Sequence, residues 1–455
     1  MRGDRGGAQA EKGRGAITLA IAAAAILAIA AVGPAWAQAA DPQAADAPQA
    51  EPTPAEPTPS EAAPAADKPL AAHPISAEIA ETGLAATEAR LGALPAPRPD
   101  ELFALAGVRF LSAVEGAAQL RYRYNAGAVD YAPMLRLPLP ANPEPEPFDP
   151  GMVEALFTAV LEDMAGVESA LAALPPEALE GDALGLTLSL DDLWIDANGN
   201  GARDEAGPVT ETMMDLTGGV LGAPLRGMRG TLVRFDAADV AWLRAYAHLL
   251  SGVSEVVLSL DPTAALTAAQ PGWEASATFR AEGGAFGAEM WADQAAATLL
   301  LFRGAPDAAR TRAALAHFEA MIAQNRVFWE RVFIEEDDRG EWIPNPTQAS
   351  ALGGATLTRE MAEGWIAVLG ELEQVLKGEL LMPHWRYAAD AEGNSVGVNL
   401  RRVFEDPASV DLVLWLQGAA AVPYLEVGPL ADGRTLNAFD TLVRGRSLAL
   451  AVWFN

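Results

Sequence analysis

The sequence predicts a mainly α fold, a helical bundle or irregular multi-helix domain with minor β. Three observations carry this: apolar stripes at three- and four-residue steps in several long segments, capping residues at their ends, and only short, scattered strand patterns.

Taken in order, the first helix opens at Pro99, Asp100 and Glu101, acids that suit a helix N-terminus, and runs to about Tyr122. Residues 150–174 place Val153, Leu156, Val160, Met164, Val167, Leu171 and Leu174 on one stripe. Residues 236–260 repeat the design with Val240, Leu243, Ala247, Leu250, Val253, Val257 and Leu260, and stop before Asp261 and Pro262. Residues 306–332 give Leu315, Phe318, Ile322, Trp329 and Val332. Thr358 caps a helix that ends at Lys377 and Gly378. Residues 407–421 read as a further helix. The β expectations are a hairpin near 385–403 around an acidic, Gly-containing turn, and a C-terminal strand over 447–454, where a short buried helix is the alternative. Leu184, Leu186, Leu188 and Leu190 alternate as in a strand, although a helix entering at Asp191 fits equally.

Three regions are expected. Residues 1–37 read as a Sec-type signal peptide: basic Arg2, Arg5, Lys12 and Arg14, an apolar run from Ala16 to Val32, and Ala35 and Ala37 as the small residues of a cleavage site after Ala37. The apolar run sits at the lower limit for crossing about 30 Å of hydrocarbon, so a retained anchor is the rival reading. Residues 38–75, rich in Ala, Pro and Glu, read as a disordered tether, because few large apolar side chains are present to offset the ordering entropy. Residues 76–455 form the globular part, with a candidate division into 76–262 and 305–455. The expected location is periplasmic or secreted, without stable membrane insertion after cleavage.

Composition excludes several chemistries. With 61 acidic and 31 basic residues the net charge is −30, so a polyanion is repelled and nucleic acid is not an expected partner. There is no cysteine, hence no disulfide, thiolate nucleophile or Cys-ligated metal. No Walker or dinucleotide-binding glycine motif occurs, and the lysines are Lys12, Lys68 and Lys377 alone.

The motif with a mechanism lies at 191–205. Asp196, Asn198 and Asn200 recur at every second residue, Gly201 follows, Ala202 can offer its carbonyl, and Asp204 and Glu205 stand where further oxygens are needed. Hard oxygen donors in a compact loop suit Ca²⁺. The segment resembles the loop of EF-hand and dockerin-type calcium sites over 196–205 only. It departs from that pattern at the twelfth position, Gly207, so missing oxygens must come from Glu205, Glu211, Asp192 or water. A plain Asn-Gly turn is the bland account.

Other constellations fall short of a mechanism. Gly393 to Gly397 matches a nucleophile elbow around Ser395 in letters, but an acidic turn precedes it where a strand is required. His384 lies in a cluster with Trp385, Arg386 and Tyr387 that either packs a corner or lines a pocket; a groove joining Trp342, Trp385 and Arg386 would favour ligand binding. The run from Glu335 to Asp338 reads as a solvated loop, with a second cation site as the sharper alternative. His248 reads as solvated or paired, and no His spacing signals a transition-metal site. The function expected is thus an exported, non-catalytic calcium-binding protein with a structural or binding role in the cell envelope. The alternatives are an envelope hydrolase using carboxylates or His384, or a ligand-binding protein with an aromatic pocket near Trp385.

Overall fold

A computed structural model describes residues 70–454 apart from 125–138, 140, 148, 182, 204–229, 280–287 and 353–356. The described residues form twelve α-helices and two two-stranded antiparallel sheets, the mainly α architecture the apolar stripes predict.

The elements are α1 (Pro74–Gly92), α2 (Pro99–Arg123), α3 (Met152–Ala172), β1 (Leu186–Ser189), β2 (Leu232–Phe235), α4 (Ala237–Ser259), α5 (Pro262–Phe279), α6 (Ala288–Leu301), α7 (Ala308–Val332), α8 (Arg359–Lys377), β3 (Val396–Val398), α9 (Leu400–Glu405), α10 (Leu412–Gln417), β4 (Leu425–Val427), α11 (Arg434–Leu442) and α12 (Ser447–Phe454). Caps set many boundaries. Asp236 and Asp239 form a reciprocal box at the start of α4, Asp307 accepts from two amides at the start of α7, and Thr358 accepts from Met361 before α8. Gly378 ends α8 in the left-handed conformation.

Helices α4 and α7 pack against each other along their length; α3 lies on α4, and α2 on α3. Their apolar faces meet in one main core that also takes in α1, β1, β2, α8, α11 and α12. Trp194, just after β1, is buried, and its indole N–H donates to the Ile79 carbonyl at 2.8 Å. The ring lies over Gly83, where α1 kinks with φ +80°; a Cβ there would stand 2.9 Å from the indole, so both backbone and space require glycine.

Four regions differ from the sequence expectation. Helix α1 opens at Pro74, inside the stretch read as tether, because His73 caps it and pairs with Asp100 at 3.0 Å. The helix expected over 407–421 is instead α10 plus a 3-10 turn (Ala419–Tyr424): Asp411 caps the start of α10 by accepting from the Leu414 amide, and Gly418 breaks the run at φ +105°. The C-terminal segment 447–454 is a helix, not a strand. It lies among α4, α7, α8 and α11, where Trp242 and Asn325 donate to the carbonyls of Trp453 and Phe454. Helical hydrogen bonds satisfy most of its backbone internally, which a lone buried strand could not do. Near 385–403 single bridges join Met382 to Val398 and Ala389 to Ser395, but the ladder partner of β3 is the distant β4, and Leu400 onward is helical. The alternation at Leu184–Leu190 is realised as β1, whose Leu186–Ser189 pairs with Phe235–Leu232.

No single described helix is long and apolar enough to cross a membrane; α4 with the first part of α5 passes only as a pair bent by 59°.

Candidate metal centre

Strand β2 delivers its last residues to the start of α4. Asp236 Oδ1 accepts from the Ala238 amide at 2.8 Å, while Asp239 Oδ2 accepts from the Asp236 amide at 2.9 Å. This cap fixes Asp236 in the interior, with 7% of the residue exposed. At the same end of the α4–α7 pair, α7 stops at Val332 and the chain turns through Glu335 to Asp338. It comes back beside β2, where the Arg234 amide donates to the Gly340 carbonyl at 2.9 Å. That return brings in Glu341, which is buried.

Asp236 thus meets Glu335 and Glu341, which stand at the two ends of the turn after α7, each of the three offering one oxygen within 4.8 Å of the others. Asn345 holds the turn by donating to the carbonyls of Val332 and Glu335, both at 3.1 Å. Gln348 reaches the Asp337 carbonyl at 2.7 Å and Glu335 Oε2 at 3.4 Å. The buried Arg234 guanidinium contacts Asp236 at 3.4 Å and Asp337 at 3.2 Å, and Arg339 contacts Asp337 at 3.0 Å.

These cations do not offset the carboxylates fully. Burial, then the charges of Asp236 and Glu341, pushes Glu335 up to about 8. Burial pushes Glu341 up to about 7, against the hydrogen bond it accepts from the Arg339 amide. Asp236 is raised by burial, and Asp239, fully enclosed beside Asp236, lies well above the carboxylate range for the same reason. The cluster therefore either keeps protons at neutral pH or takes a cation. All-oxygen donors of this kind suit a hard divalent ion such as Ca²⁺, Mg²⁺ or Mn²⁺.

The run at 335–338 is not uniformly solvated. Glu336 and Asp338 are exposed, but Glu335 and Asp337 turn toward Arg234 and the cluster. The sequence shows four consecutive acids after an apolar helix, and which of them turn inward is decided by the fold. The participation of Asp236 and Glu341 is not legible from spacing, because they lie 99 and 6 residues from Glu335.

The loop at 196–202 curls on itself. Asp196 Oδ1 and Oδ2 accept from the amides of Asn200 and Gly201 at 3.0 and 2.8 Å. Asn198 Oδ1 accepts from Asn200 at 3.0 Å, and Asn200 Oδ1 from Ala202 at 2.7 Å. Gly199 and Gly201 take φ values of +70° and +73°, which the tight turn requires. Helix α2 adds an acid that no loop pattern contains: Glu115 Oε2 accepts from the Asp196 amide at 2.7 Å, and Gln119 donates to the Asp196 carbonyl. Burial raises the Glu115 carboxyl, with the Asp196 charge adding to it and the hydrogen bond opposing. Asp192 is committed elsewhere, accepting from the Ser76 hydroxyl at 2.6 Å. Asp204, Glu205 and Glu211 lie outside the described residues.

Trp385 stands 59% exposed on its corner, its N–H donating to the Leu416 carbonyl and Arg386 stacked over its ring. Trp342 instead packs in the main core against Phe235 and Trp242. His384 Nε2 lies 3.0 Å from the Trp415 carbonyl oxygen. Ser395 is exposed at the end of the acidic turn, with β3 after it rather than before it, so the strand-to-helix elbow is not formed.

No family model matches the chain, and no curated protein or solved structure is significantly similar to it.

Proposed function

We propose that this is an exported, non-catalytic protein of the cell envelope in which divalent cations, Ca²⁺ first among them, staple the helical body. The observation that carries the reading is the convergence of Asp236 with Glu335 and Glu341, from the start of α4 and the turn after α7, on one largely enclosed point. A cation there joins the start of α4 to the turn that follows α7, a closure across 99 residues that loop entropy opposes. The Asp196–Glu205 loop is the second proposed site, with Asp196, Asn198, Asn200, the Ala202 carbonyl, Asp204 and Glu205 as ligands. The signal-like residues 1–37 support export to the periplasm or medium, where Ca²⁺ is plentiful enough for weak sites to stay filled.

Thermal unfolding of chelated protein, titrated with Ca²⁺, Mg²⁺ and Mn²⁺ separately, tests this. The midpoint rises with Ca²⁺ in the parent protein. Glu335→Gln with Glu341→Gln abolishes the part due to the carboxylate centre, and Asp196→Ala the part due to the loop. An unchanged midpoint in the parent at millimolar concentrations of all three ions overturns the reading.

One observation favours a second reading. Glu335 holds its proton near neutral pH beside Asp236 and Glu341, the pairing of acid and carboxylate that a hydrolase uses. That reading requires turnover of a glycoside or ester that is lost in Glu335→Gln without added metal.

A further inference from the structure

Two histidines 69 residues apart meet where α4 and α7 pack. His248 Nδ1 and His317 Nδ1 are 3.0 Å apart, with ring centroids at 5.3 Å and planes inclined by 46°. Two like nitrogens form a hydrogen bond only when one carries hydrogen and the other a lone pair. One imidazole is therefore the Nδ1–H tautomer and its neighbour accepts.

The surrounding contact is tight. One turn beyond His248, a Cβ added to Gly252 would lie 2.6 Å from the ring of Phe318, the neighbour of His317. The helices cannot separate at the imidazoles without disturbing that contact. The charged groups around the pair are already engaged. On α4, Arg244 faces Glu168 of α3 at 3.9 Å, and Glu255 pairs with Arg310 of α7 at 2.9 Å. Glu319 of α7 pairs with Arg401 of α9 at 3.0 Å. Among the described residues neither imidazole hydrogen-bonds to a carboxylate.

We propose that His248 and His317 form an acid-opened latch on the α4–α7 interface, closed while the pair carries at most one added proton and opened by the second. The first proton enters at Nε2 of the donating ring and leaves the Nδ1–H···Nδ1 bond in place, now charge-assisted. The second has only the accepting Nδ1 lone pair left to bind. It breaks the bond and sets two cations face to face in a half-buried site. Burial, His317 and Arg244 hold His248 down at about 4; burial lowers His317 too, with Glu255 opposing. Both groups are depressed, so their stabilising contribution is complete above about pH 6.5 and is lost as pH falls toward 4. The latch lies apart from the proposed cation ligands and answers acid alone.

The test compares urea unfolding of the parent with His248→Gln and His317→Gln from pH 7 to pH 4, in chelator. The folding equilibrium constant of the parent, relative to each variant, falls by about tenfold or more over that range. In the intact parent, NMR titration of the imidazoles shows two separated steps, the lower near pH 4, and the resonances of α4 and α7 around Gly252 move with the lower step. Imidazoles that titrate independently near pH 6.5, or variants that share the whole acid loss of the parent, overturn the proposal. The NMR arm needs no variant, so a substitution that fails to fold leaves the proposal falsifiable.

Discussion

Replacing Glu335 by Gln removes one ionisable group from the carboxylate cluster and keeps its shape and its acceptor toward Gln348. In protein free of divalent ions, Glu335 stays protonated to about pH 8 when folded, against an ordinary value of 4.5. A carboxyl raised in this way retains its proton after the unfolded chain has released it, so stability falls as pH rises through the interval from about 4.5 to 8. Taken whole, the displacement corresponds to roughly 4–5 kcal/mol at the upper end. The side chain is partly exposed and shares its repulsion with Asp236 and Glu341, so about 2 kcal/mol is the expected effect. Urea unfolding in chelator at pH 5, 6.5 and 8 reads it. Glu335→Gln nearly matches the parent at pH 5 and exceeds it by about 2 kcal/mol at pH 8. Saturating Ca²⁺ reverses the order, because the ion needs the ionised carboxylate. A variant less stable than the parent at pH 8 without metal refutes the reasoning, since Arg234 and Arg339 would then be balancing the charge unaided.

Three further outcomes follow from single contacts. Asp196→Ala strips the Gly201 amide of its acceptor, leaves Asn200 only the Asn198 oxygen, and costs about 1 kcal/mol even without metal, measured by thermal unfolding in chelator. Gly252→Ala sets a methyl against Phe318 and lowers stability by about 1–3 kcal/mol, although helix propensity alone favours alanine; a stabilised variant would show that the helices slide apart freely there. Trp194→Phe leaves the Ile79 carbonyl without its indole donor and costs about 1–3 kcal/mol in urea unfolding; a loss under 0.5 kcal/mol would mean that water reaches that carbonyl.

The acid latch and the carboxylate centre respond to pH in opposite directions. The histidine pair weakens the fold as pH falls below about 6.5, and the ion-free carboxylates weaken it as pH rises above about 4.5. Divalent ions cancel only the second response. Acid also expels a bound cation, because the ligating carboxylates must be ionised to hold it, so a filled centre adds an acid response of its own.

Local chemistry settled much of this molecule before any folding. The stripes at 153–174, 240–260 and 315–332 mark helices because side chains three and four apart share a face, while Asp307 opens α7 and Thr358 and Gly378 bound α8 by satisfying or releasing nearby backbone groups. The turn at Asp196–Ala202 is equally local, since its oxygens bond to amides at most five residues away. Tertiary packing alone decided the rest. Segment 447–454 is apolar in either conformation, and its helical state follows from being enclosed by helices with no ladder partner among the described residues. Glu115 reaches Asp196, Asp236 reaches Glu335, and His248 reaches His317 across separations of 81, 99 and 69 residues. Periodicity reports which face of an element is buried; which element that face meets depends on the whole set of competing contacts, and those pairings made the cluster and the latch.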